Sequence, residues 1–101
     1  MKPVVFHREA EAELDAAIAW YENQRADLGL DLQENVEAAV ALIQENPKRH
    51  SKYRQTDIRK CRVKRFPYTV YFVELDEAIW IAAIAHDKRR PDYWSAREPG
   101  D

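Results

Sequence analysis

Two stretches of this chain hold side chains able to bind or transform a charged partner. Between positions 48 and 65, Lys48, Arg49, Lys52, Arg54, Arg59, Lys60, Arg62, Lys64 and Arg65 set nine cations against one carboxylate, Asp57. Counterion release draws such a patch to a polyanion, and charge complementarity draws it to an acidic protein segment. A solvated loop and strand face is the plainer alternative. The second stretch is His86, Lys88, Arg89, Arg90, Tyr93 and Trp94. Cleavage of RNA needs a base to take the 2′-OH proton, cations to hold charge on the pentavalent phosphorus, and an acid for the leaving oxygen. On that chemistry His86 or Tyr93 is the proton carrier, and Arg59, Arg62, Arg89 or Arg90 supply the cations. Without cleavage, Lys60, Arg62, Lys64, Arg65, Lys88, Arg89, Arg90 and Trp94 are the candidates for gripping a partner.

Each of these residues also has an ordinary structural use. A single histidine at a strand end is commonly a hydrogen-bonder. Tyr93 and Trp94 could stack on a base, or fasten the chain's end onto a sheet. Glu9, Glu11 and Glu13 read as a solvated helix face, because residues two apart on a helix diverge and share no proton. Cys61 is the only cysteine, which excludes an internal disulfide and a cysteine-based zinc cluster. No glycine-rich phosphate loop, nucleophile elbow or histidine-rich metal spacing occurs, so neither a cofactor nor a metal is expected.

The elements that must position these residues follow from periodicity. Pro3 to Phe6 reads as a short strand. From about Arg8 to Ala26, a period near 3.6 puts Ala10, Leu14, Ala17, Ile18 and Tyr21 on one stripe of a helix, with His7 in the capping place. Gly29 stands between two periodic segments, as a helix-terminating residue of positive φ would. A second stripe, Leu32, Val36, Ala39, Val40 and Ile43, runs to the stop at Asn46-Pro47, and the short link predicts an antiparallel pair of helices. Three β-rich runs follow. Ile58 to Arg65 has a basic outer face, Tyr68 to Leu75 is apolar on both faces, and Ala78 to Ala85 is apolar throughout. Their brief connections allow only antiparallel pairing. Pro91 would open a short terminal helix. The expected architecture is α+β: an N-terminal strand, a helical hairpin, a three-stranded antiparallel meander and a short C-terminal helix.

At 101 residues and 46% hydrophobic content, residues 1–101 are expected to form one domain with one core. The opening apolar run is too short for a signal peptide or a membrane span, so the cytoplasm is expected, with no membrane partner. The formal net charge of −2 hides a segregation of sign. Residues 1–47 carry 3 basic and 10 acidic side chains, and residues 48–97 carry 13 basic and 6 acidic ones.

A family resemblance runs along nearly the whole chain. It is carried by Phe6 to Leu14, Ala19-Trp20-Tyr21-Glu22, Glu45-Asn46-Pro47, Ile58-Arg59, Arg65-Phe66-Pro67-Tyr68, Val70-Tyr71 and the stretch Ala85 to Trp94. In this order and at these spacings the chain resembles the RelE/ParE superfamily of toxins from type II toxin–antitoxin systems, the class associated with plasmid stabilization. The resemblance implies a bacterial toxin wrapped and silenced by a cognate antitoxin, in a hetero-oligomer. ParE-like members bind DNA gyrase and trap it on cut DNA, whereas RelE-like members cleave messenger RNA on the ribosome. The long helical hairpin and the Ala-His-Asp-Lys-Arg-Arg-Pro stretch resemble the ParE-like side. The RelE-like spacing of about six residues from an arginine to a catalytic tyrosine is not reproduced, since Tyr93 follows Arg90 by three. Expected, then, is a ParE-like gyrase inhibitor. The alternatives are a ribosome-dependent endonuclease using Arg59, Arg62, His86, Arg89 or Tyr93, and an inert module that only binds antitoxin.

Overall fold

A computed structural model describes residues 1–101. The chain runs β1 (Val4–Phe6), α1 (Arg8–Gln24), α2 (Leu28–Glu45), a 3-10 turn (Pro47–Arg49), β2 (Arg59–Arg62), β3 (Tyr68–Glu74) and β4 (Ile79–His86). The strands form one sheet in the order β1-β4-β3-β2. The meander β2-β3-β4 is antiparallel, as the short connections require. β1 adds to β4 in parallel, which makes the sheet mixed.

Both helical stripes lie where their periodicity puts them. Ala10 and Ala17 of α1, and Leu32, Val36, Ala39 and Ile43 of α2, join Val63, Val70, Phe72, Ile79, Ile81 and Ile84 in one cluster between hairpin and sheet. Each fully buried aliphatic side chain of this kind contributes roughly 1.5–3 kcal/mol. His7 caps α1, its Nδ1 accepting the Glu9 N–H at 3.1 Å, while Glu9 and Glu11 sit at the positive end of the helix dipole.

Gly29 does not end a helix; it lies inside the first turn of α2. The left-handed residue of the link is Asp27, at φ 70°. Gly29 serves close approach instead, because a Cβ there would stand 2.5 Å from the Ile18 carbonyl oxygen of α1. Asp27 makes no side-chain cap, and Glu22 replaces it by accepting the N–H groups of Asp27 and Gly29 at 2.9 and 3.0 Å.

β4 contains an irregularity that governs its two faces. Phe72 of β3 pairs with Ile81 and its neighbour Tyr71 with Ala83, which leaves Ala82 as an extra residue. Ile79, Ile81 and Ile84 therefore all face the helices, whereas Ala83 and Ala85 face the opposite side. That second side is covered by Tyr53, Tyr71, Tyr93 and the 3%-exposed Trp94, with the Tyr71 and Trp94 rings stacked 4.5 Å apart.

The short terminal helix does not form: residues 91–96 are a series of turns. Asp92 adopts φ 68°, which interrupts any helix that Pro91 starts. Its carboxylate is held by the Tyr53 hydroxyl at 2.6 Å and by Arg54 at 3.3 Å. No helix is long and apolar enough to cross a membrane.

Candidate functional site

β1 pairs with β4 only as far as Ile81, with one further bond from the His7 N–H to the Ile81 carbonyl. Past that point the edge of β4 is met by side chains rather than by a strand. Glu13 of α1 accepts the Ile84 N–H at 3.0 Å, and Arg97 donates to the Ala82 carbonyl at 2.9 Å. The same Arg97 holds Glu13 through two bonds, of 3.1 and 2.9 Å, and the Tyr93 hydroxyl donates to Glu13 at 2.6 Å. Four donors fill the acceptor capacity of one carboxylate. Glu13 is thus no part of the solvated helix face. Its side chain is 13% exposed and that of Arg97 10%.

This arrangement decides what Tyr93 can do. Burial first, then the hydrogen bond to Glu13, pushes its phenol well above the ordinary range, and the Arg89 guanidinium lies over its ring at 3.8 Å. A hydroxyl held this way keeps its proton, which suits a structural tie better than a proton carrier.

The remaining candidates occupy three places. His86, at the end of β4, accepts the Lys88 N–H through Nδ1, and its ring meets Tyr68 edge-on at 5.1 Å. Arg59 turns its guanidinium back to the carbonyls of His50 and Lys48, at 2.6 and 3.4 Å, and so closes the loop before β2. Arg62 pairs with Asp87 at 2.6 Å, and Arg65 more loosely with Asp31 at 3.7 Å. Lys60, Lys64, Lys88 and Arg90 are exposed and make no ion pair. Trp94 lies in the second core, so its ring is not offered to a partner. The five residues named for a nuclease are therefore split between intramolecular tasks, whereas the unpaired cations stand at β2 and just past β4.

Sequence reasoning missed Glu13 and Arg97. The only signal was chemical: a carboxylate one helical turn beyond Glu9, and an arginine isolated near the chain's end, each a partner for backbone left bare by a short strand.

Beside β2 lies a groove of about 360 Å³ whose lining includes Ala38, Ala41 and Leu42 of α2 together with Arg62 and Lys64. Ser51 and Lys52 cover the outer edge of β2 only as far as Lys60. On the face of the sheet turned away from the helices, a recess of about 280 Å³ opens between the loop at Tyr53 and the end of β4. Arg54, Arg89 and Arg90 line it against a single carboxylate, Asp87.

A family model described as the ParE toxin of the type II toxin–antitoxin system parDE matches residues 4–91. The fold is similar to a solved structure titled "Chromosomal ParDE TA system from P. aeruginosa", with a TM-score of 0.74 and 20% identity. That likeness covers 85% of this chain and 96% of the other. No curated protein sequence matches.

Proposed function

Because the chain belongs to the ParE toxin family of type II toxin–antitoxin systems, we propose that it inhibits DNA gyrase in the cytoplasm and is held inactive by a cognate antitoxin. The observation that carries this reading is the family match from β1 through the end of β4. Local chemistry supports inhibition without cleavage: the Tyr93 phenol is committed to Glu13, and the Arg59 guanidinium to two backbone carbonyls. In this reading residues 1–101 act as one toxin domain, and the cations past β4 engage the target.

Purified protein should block supercoiling by gyrase at near-stoichiometric amounts. Normal supercoiling in the presence of excess toxin would refute the gyrase reading, and message cleavage in a translating extract would replace it with the ribosomal one.

For the antitoxin we propose the groove between α2 and β2. An acidic segment carrying apolar side chains fits its apolar wall, its Arg62 and Lys64 rim and the adjacent Lys60. The double reversal Lys60→Glu with Lys64→Glu should weaken antitoxin binding at least tenfold in a titration. Unchanged affinity would rule this groove out.

A further inference from the structure

The recess past β4 differs from the other charged surfaces in combining flat rings with fixed guanidinium groups. Tyr53, Tyr71, Tyr93 and Trp94 contribute to its lining. Two of its arginines lie over rings: Arg54 over Tyr53 at 5.0 Å and Arg89 over Tyr93 at 3.8 Å. A guanidinium seated on an aromatic face has its plane set, and its N–H edge is directed outward before any ligand arrives. Arg54 also meets Asp92 at 3.3 Å, and Arg89 reaches Glu13 only at 3.8 Å. Arg90 lines the recess, exposed and unpaired, and Lys88, two residues before it in the chain, is likewise exposed and unpaired. The positive charge here is thus only partly neutralised by the protein, unlike that of Arg62, which Asp87 meets at 2.6 Å.

The geometry points to a seat for one nucleotide of a single nucleic-acid strand, its phosphate on Arg89 and Arg90 and its base against the tyrosine side of the recess. A volume of about 280 Å³ admits a base with part of its sugar. A duplex would keep its bases stacked away from the rings and use only the cations. An acidic peptide would use the same cations and gain little from the rings. DNA and RNA share the required chemistry, and the two are separated by measurement. This inference does not depend on gyrase inhibition, because its test contains no enzyme.

The test is fluorescence anisotropy of full-length protein with labelled octamers: oligothymidylate, oligouridylate, an abasic DNA strand and a DNA duplex. Expected is binding of the thymidylate or uridylate strand that is at least tenfold tighter than that of the abasic strand, since stacking contributes about 1–3 kcal/mol per base. The tighter of the two identifies the sugar. Arg90→Ala combined with Lys88→Ala should weaken binding at least tenfold while circular dichroism stays native, and Lys60→Ala combined with Lys64→Ala should change it less than threefold. Equal affinity for the abasic strand or the duplex overturns the proposal. So does an equal loss from both double variants, which would mean diffuse charge, or displacement by polyglutamate at the concentration at which oligothymidylate displaces.

Discussion

Glu13 ties together three parts of the chain that are far apart in sequence: α1, the middle of β4 and the terminal turns. Removing its carboxylate strands a nearly buried guanidinium, a hydroxyl and a backbone N–H together. Glu13→Ala should therefore cost about 3 kcal/mol, read from urea unfolding, whereas Tyr93→Phe should cost about 1 kcal/mol. A loss under about 1 kcal/mol for Glu13→Ala would show the cluster to be dispensable. The phenols of Tyr68 and Tyr71, raised by burial, and of Tyr93, raised by burial and by Glu13, predict a pH response. Each holds its proton more tightly folded than unfolded, so their contribution is fully present below the ordinary phenol value of about 10 and is lost as pH climbs beyond it. Urea midpoints followed from pH 7 to pH 11 should fall at the alkaline end, and Tyr93→Phe should flatten that fall.

At the level of elements, the sequence was most legible where burial repeats with a fixed period. The stripes of α1 and α2 and the unbroken apolar run of β4 predict their own buried faces, because each repeats through several turns or residues. Legibility failed where one residue's backbone outweighed the pattern. Gly29 looked like a terminator because glycine tolerates positive φ, yet its use is to let α2 approach the Ile18 carbonyl. Gly29→Ala is accordingly expected to destabilise by about 1–3 kcal/mol, although alanine is the better helix former. A thermal melt that rises on this substitution would contradict the close contact. Asp92 defeated the expected terminal helix in the same way, by a left-handed conformation that its bonds to Tyr53 and Arg54 hold in place. Of the candidate site, the exposed lysines and Arg90 were readable from composition. The inward turns of Arg59, Tyr93 and Trp94 were not, because each depends on a neighbour distant in sequence.

On the scale of the whole molecule, the segregated charge survives folding as an acidic helical layer and a cationic strand and tail region. Association with an acidic partner through β2 should therefore slow as salt rises. Stopped-flow association rates are expected to fall by about tenfold or more between 20 and 300 mM NaCl, with a much smaller change in dissociation. A rate indifferent to salt would mean that Lys60 and Lys64 do not guide the encounter. Ala82 has a wider effect than its size suggests. In β4 the residues turned toward the helices have odd numbers before it and even numbers after it, so this one alanine reverses the strand's parity. Were β4 to run past Ala82 in regular alternation, without the bulge, odd parity would persist to the strand's end. Ala83 and Ala85 would then be asked to fill space shaped for Ile84, and the tail would lose the shallow alanine floor on which Trp94 lies. One uncounted residue thus lets a single strand serve two unlike surfaces, a thick one for the helices and a thin one for the aromatic tail.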